Sequence, residues 1–263
     1  MRNHQKFKQK YGPWALVTGT TSGIGEAFAT RLAAMGMNLV LVARRETLLK
    51  EKASALAQTY GVLTKTLCLD LALPDSTDRV LQETDGLEIG LVILNAALEF
   101  HGEFLDRNRE EHQHLLQVNV VSPMQLTRVF AEKMVQQGRG GIVLVSSMGG
   151  YSPQPYIAHY GSSKAYLSSL GEALHHELKP RGVDITVLAA GLTDTPMGAA
   201  YRGMEMKLMS PDRVAHAGLN ALGKTALVVP GQMNKLIFFF MGRFLPRKLA
   251  PVMTAAILKR KVL

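Results

Sequence analysis

A serine, a tyrosine and a lysine in the stretch from 147 to 164, SMGGYSPQPYIAHYGSSK, are the residues of this chain best suited to chemistry. Tyr160 and Lys164 are four apart, so a helix starting near Tyr160 points the phenol and the ammonium from one face. A phenol exchanges protons poorly near neutral pH, because its ordinary pKa is about 10. An adjacent cation stabilises the phenolate and lowers that value. Ser147 can bring a hydroxyl from another segment to hold an oxygen being reduced or oxidised. Y-x-x-x-K spacing is also common on ordinary amphipathic helices, so the rest of the chain has to decide.

The elements that must position these groups alternate. Residues 14–18 form a short apolar run, read as a buried strand. It leads into Gly19-Thr20-Thr21-Ser22-Gly23-Ile24-Gly25 and then a helical pattern. In that context the glycines permit a tight turn and close approach of backbone to a pyrophosphate, which the helix N-terminus attracts. A second strand, 38–43, ends at Arg44-Arg45. An acid at the end of that strand suits a ribose 2′-hydroxyl and an arginine suits a 2′-phosphate, so Arg44 favours NADP(H) over NAD(H). The alternative is a pair of solvated arginines opening the next helix, 46–60. A third strand ends at Leu69-Asp70-Leu71, where the carboxylate could meet an adenine amino group or serve an ordinary turn. The fourth, 91–94, precedes Asn95-Ala96-Ala97. A long helix over 109–137 carries Asn119, with Pro123 marking a local irregularity. The fifth strand, 141–147, delivers Ser147 to the ligand-binding edge of a parallel sheet. A helix over 160–178 follows, then a sixth strand, 183–189, opening into Ala190-Gly191-Leu192-Thr193-Asp194-Thr195. Strands alternating with helices indicate an α/β fold: one Rossmann-type doubly wound parallel sheet with helices on both faces.

The 263 residues, 47% hydrophobic, suffice for one well-buried domain across 1–263. The single cysteine, Cys68, lies in an apolar run and is expected to be a buried structural thiol, which fits a reducing, cytoplasmic setting. Net charge is +9 but uneven. Residues 1–12 form a basic arm, and 213–263 hold nine basic residues and no acid. The central part is mildly acidic, which argues against a nucleic-acid groove and allows an anionic membrane surface or acidic ligand near the ends. No metal site is expected. The apolar run 236–241 falls far short of the roughly 20 residues of a spanning helix.

Taken together, Thr18 to Gly25, Asp70, Asn95-Ala96-Ala97, Asn119, Ser147, Tyr160 and Lys164 resemble the short-chain dehydrogenase/reductase family over about residues 12–230. Residues 11–19 and 86–90 look like the branch of 17β-hydroxysteroid dehydrogenases and long-chain 3-ketoacyl reductases. The resemblance implies that Tyr160 is the general acid or base and that Lys164 lowers its pKa and holds the nicotinamide ribose. It implies that Ser147 bonds the substrate oxygen and that Asn119 holds a relay water. Cofactor contacts are implied for Gly19, Thr21, Ser22, Gly23, Ile24, Gly25, Arg44, Asp70, Leu71, Asn95 and Ala96, and for Gly191, Thr193 and Thr195 at the nicotinamide end. Homo-oligomers are common in the family. Three departures stand out: Ala97 and Ala190 where Gly and Pro are usual, and Gly161 after the tyrosine.

The segment 196–209 carries Met197, Met204, Met206 and Met209. Methionines suit an adaptable apolar pocket, so a hydrophobic carbonyl or alcohol is the expected substrate. Tyr151, Pro153 and Tyr156 are further pocket candidates by proximity. The segment 233–263, with Leu236 to Met241 and Arg243, Arg247, Lys248 and Lys259, could cover the sheet, lie at a membrane interface or meet a second subunit. A catalytically idle dinucleotide-binding regulator is the alternative to an enzyme, against which the complete set of Asn119, Ser147, Tyr160 and Lys164 speaks.

Overall fold

Leucine, isoleucine and valine dominate the segments that form the sheet, as expected for parallel strands covered on both faces. The computed structural model describes residues 2–202, 208–244, 246 and 248–261; Met204, Met206 and Arg247 lie outside them. The strands are β1 (Trp14–Thr18), β2 (Asn38–Ala43), β3 (Thr64–Cys68), β4 (Ile89–Leu94), β5 (Gly140–Ser147), β6 (Val183–Ala190) and β7 (Leu227–Val228). All run parallel, in the order β3-β2-β1-β4-β5-β6-β7. The sixfold expectation missed β7, a two-residue edge strand too short to show a period.

The helices are α1 (Arg2–Tyr11), α2 (Gly23–Ala34), α3 (Glu46–Tyr60), α4 (Ser76–Glu83), α5 (Arg109–Leu116), α6 (Ser122–Gln137), α7 (Ala158–Leu178), α8 (Pro211–Ala221), α9 (Gln232–Arg243) and α10 (Leu249–Lys261). On one face of the sheet Phe28 and Leu32 of α2, Leu49 of α3 and Val214 of α8 build a core. On the other, Val80 of α4, Leu126 and Phe130 of α6 and Leu178 of α7 build a second. The buried residues of α2 fall at 25, 28, 29, 32 and 33, the stripe of one helical face. Each fully buried Leu or Phe there contributes about 1.5–3 kcal/mol. Helix α3 stops where Gly61 takes φ 67°, the left-handed cap a glycine enters without strain.

Three expectations change. The basic arm is helix α1, docked on the fold: Lys8 donates to the Gly36 carbonyl at 2.6 Å, and Asp184 receives both the Tyr11 hydroxyl (2.6 Å) and Lys10 (2.5 Å). Cys68 is exposed, because it ends β3 and β3 is the edge of the sheet. The long 109–137 helix is α5 and α6 joined by a π-turn over Gln117–Val121, with Asn119 inside it. No helix among the described residues is long and apolar enough to cross a membrane.

Candidate active site

Strand order reverses between β1 and β4, so the loops leaving their C-terminal ends diverge and open a crevice. Asn95 braces that split. Its amide donates to the carbonyls of Thr18 (3.0 Å) and Gly19 (3.3 Å), while the Thr18 hydroxyl accepts from the backbone of Asn95 and Ala96. Gly19 has φ 72°, and a Cβ on it would lie 2.8 Å from that amide nitrogen. A Cβ on Gly25 would lie 2.2 Å from the Gly19 carbonyl oxygen, so α2 starts hard against β1 only because no side chain intervenes. Gly25 thus sits behind the crevice, whereas Gly19, Thr21, Ser22, Gly23 and Ile24 line it.

One cavity of about 750 Å³ runs from this loop in two directions. Toward the outer rim it meets Arg44, Arg45, Asp70 and Leu71. Arg44 is 3.7 Å from the Asp70 carboxylate, whose other oxygen accepts from the Ala72 backbone at 3.0 Å, so Asp70 both shapes a turn and faces the cavity. Arg45, which the sequence placed only as the start of a helix, reaches back to Thr21 (2.8 Å). Toward the interior the cavity passes Asn95, Ala96 and Ala97 and meets Gly191, Thr193 and Thr195. The Thr195 hydroxyl accepts from Gly198 at 2.9 Å and its methyl lies against Gly23, which pins the loop after β6 to the glycine loop.

Ser147, Tyr160 and Lys164 come together at the inner end. Pairing of Ser147 with Ala190 carries β5 to the sheet edge, and the Ser147 hydroxyl accepts from Gly149 (3.1 Å). Gly150 packs against the Lys164 backbone so closely that a Cβ would lie 2.8 Å from it, which draws α7 onto that turn. Gly161 explains itself similarly: a Cβ there would crowd the Gln154 side chain at 3.0 Å. Lys164 donates to the Val145 carbonyl at 2.9 Å and lies 5.7 Å from the Tyr160 ring centre.

Burial dominates the proton balance of the two groups. Burial pushes the Tyr160 phenol well up and the Glu99 charge pushes it further; only the Ser147 hydroxyl draws it down. Burial also brings Lys164 down to about 8, against a smaller upward effect of Glu99. In this arrangement the Lys164 ammonium is desolvated and donates to the Val145 carbonyl, one helical turn from the Tyr160 ring. Asn119 is fully buried, and its amide is spent on Leu98 O (2.8 Å) and Ser163 Oγ (3.0 Å) while its oxygen accepts from Leu98 N (2.8 Å). The side chain therefore braces the segment after β4 and leaves no N–H for a water.

Beyond Tyr160 the cavity turns apolar, with Met148, Ile157, Leu192, Met197 and Leu258 on its walls. Of the described methionines in its segment, Met197 reaches it, while Met209 packs against the core that holds Phe28 and Val214 instead. Tyr151 and Pro153 do not line it: Tyr151 is half-exposed and bonded to Glu172 at 2.7 Å. Tyr156 packs beside Ile157 and Tyr201 without reaching the wall. The chain between Ser147 and Tyr160 contributes Met148, Gly149, Gln154 and Ile157. Sequence reasoning also missed Glu99, Tyr201 and the cavity-facing residues of α9 and α10, Asn234, Ile237, Met253 and Thr254. Only the apolar, acid-free tail carried a signal for the last four.

The cradle without Cβ atoms, the helix N-terminus and the two arginines at one end fit a dinucleotide laid across the crevice. Residues 13–205 match the model of the short chain dehydrogenase family. The chain is 35% identical over 236 residues to a 7beta-hydroxysteroid dehydrogenase of Mediterraneibacter gnavus, covering 87% of this chain and 90% of the relative. A solved structure described as giving structural and biochemical insights into 7beta-hydroxysteroid dehydrogenase stereoselectivity superposes with a TM-score of 0.90 at 32% identity, over 95% of this chain and 99% of the other. A short-chain dehydrogenase from Sphingobium yanoikuyae in complex with NADPH superposes at 0.79 with 27% identity, over 96% of each chain. The chain belongs to the short-chain dehydrogenase family, as an oxidoreductase of hydroxyl and carbonyl groups that uses a nicotinamide dinucleotide.

Proposed function

We propose that the protein transfers a hydride between NADP(H) and a hydrophobic ketone or secondary alcohol of steroid-like or acyl type. The observation that carries this is the meeting of Ser147, Tyr160 and Lys164 where the glycine-lined part of one cavity passes into its apolar part. The bound dinucleotide supplies or accepts the hydride; the chain supplies the proton and the orientation. Ser147 is positioned to bond the substrate oxygen. Tyr160 gives that oxygen a proton in reduction and takes it back in oxidation. At neutral pH the phenol is protonated, the form that donates in reduction, and a pKa nearer neutrality would ease the transfer in either direction. Apolar walls exclude water from the reacting carbon. The relative named as a 7beta-hydroxysteroid dehydrogenase and the NADPH complex support the substrate type and the cofactor.

The test is oxidation of NADPH followed across a panel of apolar ketones, with Tyr160→Phe alongside. General acid catalysis is worth roughly 10²–10⁴-fold, so the variant should lose at least about 100-fold in kcat/KM on any accepted ketone. Full turnover by Tyr160→Phe would overturn the proton-donor role. Absence of turnover across the whole panel, with NADPH still bound, would favour a nucleotide-binding regulator.

A further inference from the structure

Among the described residues, the apolar end of the cavity contains one carboxylate. Glu99 follows β4 by five residues, lines the cavity wall and leaves only 6% of its side chain exposed. A carboxylate moved out of water is costly unless hydrogen bonds replace those it gave up. Its recorded bonds fall on one oxygen. Oε1 accepts from the Tyr201 hydroxyl at 2.6 Å and lies 3.2 Å from His101 Nε2. His101 and Tyr201 are themselves 3.1 Å apart and stand edge to face. The second oxygen, Oε2, takes no hydrogen bond from the described residues, although a carboxylate offers about four lone-pair sites.

The support of this group is rigid. Tyr201 is buried, ends the short 3₁₀ turn Met197–Tyr201, and packs with Ile157 and Leu258 against Tyr160. Glu99 and Tyr201 therefore tie the loop after β4 to the loop after β6, one on each side of the substrate space. The carboxylate is also close to the reacting groups, since Tyr201, which it holds at 2.6 Å, packs against Tyr160. Anchoring Tyr201 would account for Oε1. It would not require a charged acceptor with a second oxygen on the cavity wall.

We propose that Glu99 is a specificity-determining residue, whose carboxylate accepts a hydrogen bond from a hydroxyl group that the substrate carries apart from its reacting carbonyl. This deepens the function proposed above and rests on it. A neutral hydroxyl suits the site better than an ammonium, because the Lys164 ammonium already supplies a buried cation within reach of the same charge. A substrate anion at that position is repelled. The preferred substrate is thus an apolar skeleton with a ketone and a nearby hydroxyl, rather than a plain apolar ketone.

Matched pairs decide it. Each pair is a rigid polycyclic hydroxyketone and its deoxy parent, with the hydroxyl moved around the skeleton from pair to pair. A site built to bond a hydroxyl discriminates strongly against the analogue that lacks it. For at least one position the full-length wild-type enzyme should favour the hydroxyketone by about tenfold or more in kcat/KM. Glu99→Leu should bring that ratio to within about twofold of unity, whatever common change in turnover the loss of its charge near Tyr160 and Lys164 causes on both members of a pair. Glu99→Gln, which keeps the shape, should reduce it at least about threefold, and Tyr201→Phe, which frees only Oε1, should preserve it. A ratio unchanged in both Glu99 variants overturns the proposal, as does an equal loss on both members of every pair, which would leave Glu99 a brace for Tyr201. Calorimetric affinities of the same pairs for the NADPH-saturated protein read the hydroxyl preference without turnover. If no ketone reacts, the enzymatic reading fails there, and equal affinities within every pair overturn the role of Glu99 separately.

Discussion

Lys164 sits on α7 one turn beyond Tyr160, and burial brings its pKa down to about 8. The unfolded chain keeps a lysine near 10.4, so between those values the unfolded state binds more protons than the folded one. Stability of the cofactor-free protein from this group therefore rises with pH across that window and is lowest below about 8. Lys164→Met removes the buried ammonium. By denaturant titration at pH 7 the variant should be more stable than wild type by on the order of 2–3 kcal/mol, with the gap closing toward pH 10. It should at the same time be the poorer enzyme. A gap independent of pH would mean that the lysine is solvated in the folded protein. Tyr160 and Lys164 were legible as a pair from their spacing alone, and the four-residue step did place them on one face. The direction of their proton equilibria was not legible. It depends on desolvation and on Glu99, a residue 61 positions before Tyr160 that only folding brings near.

Among the elements, β2 and α3 were read from sequence with the boundaries they have, because an unbroken run of buried aliphatics and a glycine cap are local signals. What they deliver is a doubled positive charge at the cavity rim, Arg44 at the end of the strand and Arg45 at the helix N-cap. Arg44 is more than half exposed and its nearest acid, Asp70, is 3.7 Å away, so it is free to turn toward a phosphate. With the proposed NADP(H) preference, Arg44→Asp should raise KM for NADPH about tenfold or more and leave KM for NADH within about threefold, since a charge-assisted hydrogen bond is worth about 1.5–3 kcal/mol. Equal loss of both cofactors would remove Arg44 from that role. The α5–α6 junction shows the opposite case. A single long periodic run was visible, and Pro123 hinted at irregularity, but the π-turn that turns Asn119 inward is set by its three bonds to Leu98 and Ser163.

Across the whole molecule, the C-terminal segment decides the shape of the substrate end. Helix α10 puts Leu258 into the cluster with Ile157 and Tyr201 and adds Met253 and Thr254 to the wall, while Val252 and, on α9, Phe239 and Phe240 remain exposed. The tail covers the cavity rather than the sheet. Ending the chain after Lys248 should therefore raise KM for an apolar ketone about tenfold while KM for NADPH, whose proposed phosphate contacts lie at the opposite end, changes less than about threefold; each buried apolar side chain lost is worth about 1.5–3 kcal/mol. A parallel rise in both would mean that α10 supports the fold as a whole. The doubly wound sheet, the glycine cradle, the Ser147–Tyr160–Lys164 set and the basic rim followed from the sequence, because strand periodicity, glycine spacing and helical i,i+4 geometry act within a few residues. The brace at Asn95, the inward Asn119, the docked α1, the carboxylate at Glu99 and the capping α10 were decided by the tertiary structure. Each depends on a partner tens of residues or more away, and the energy of burying a polar group is set by those distant neighbours, not by the local chain.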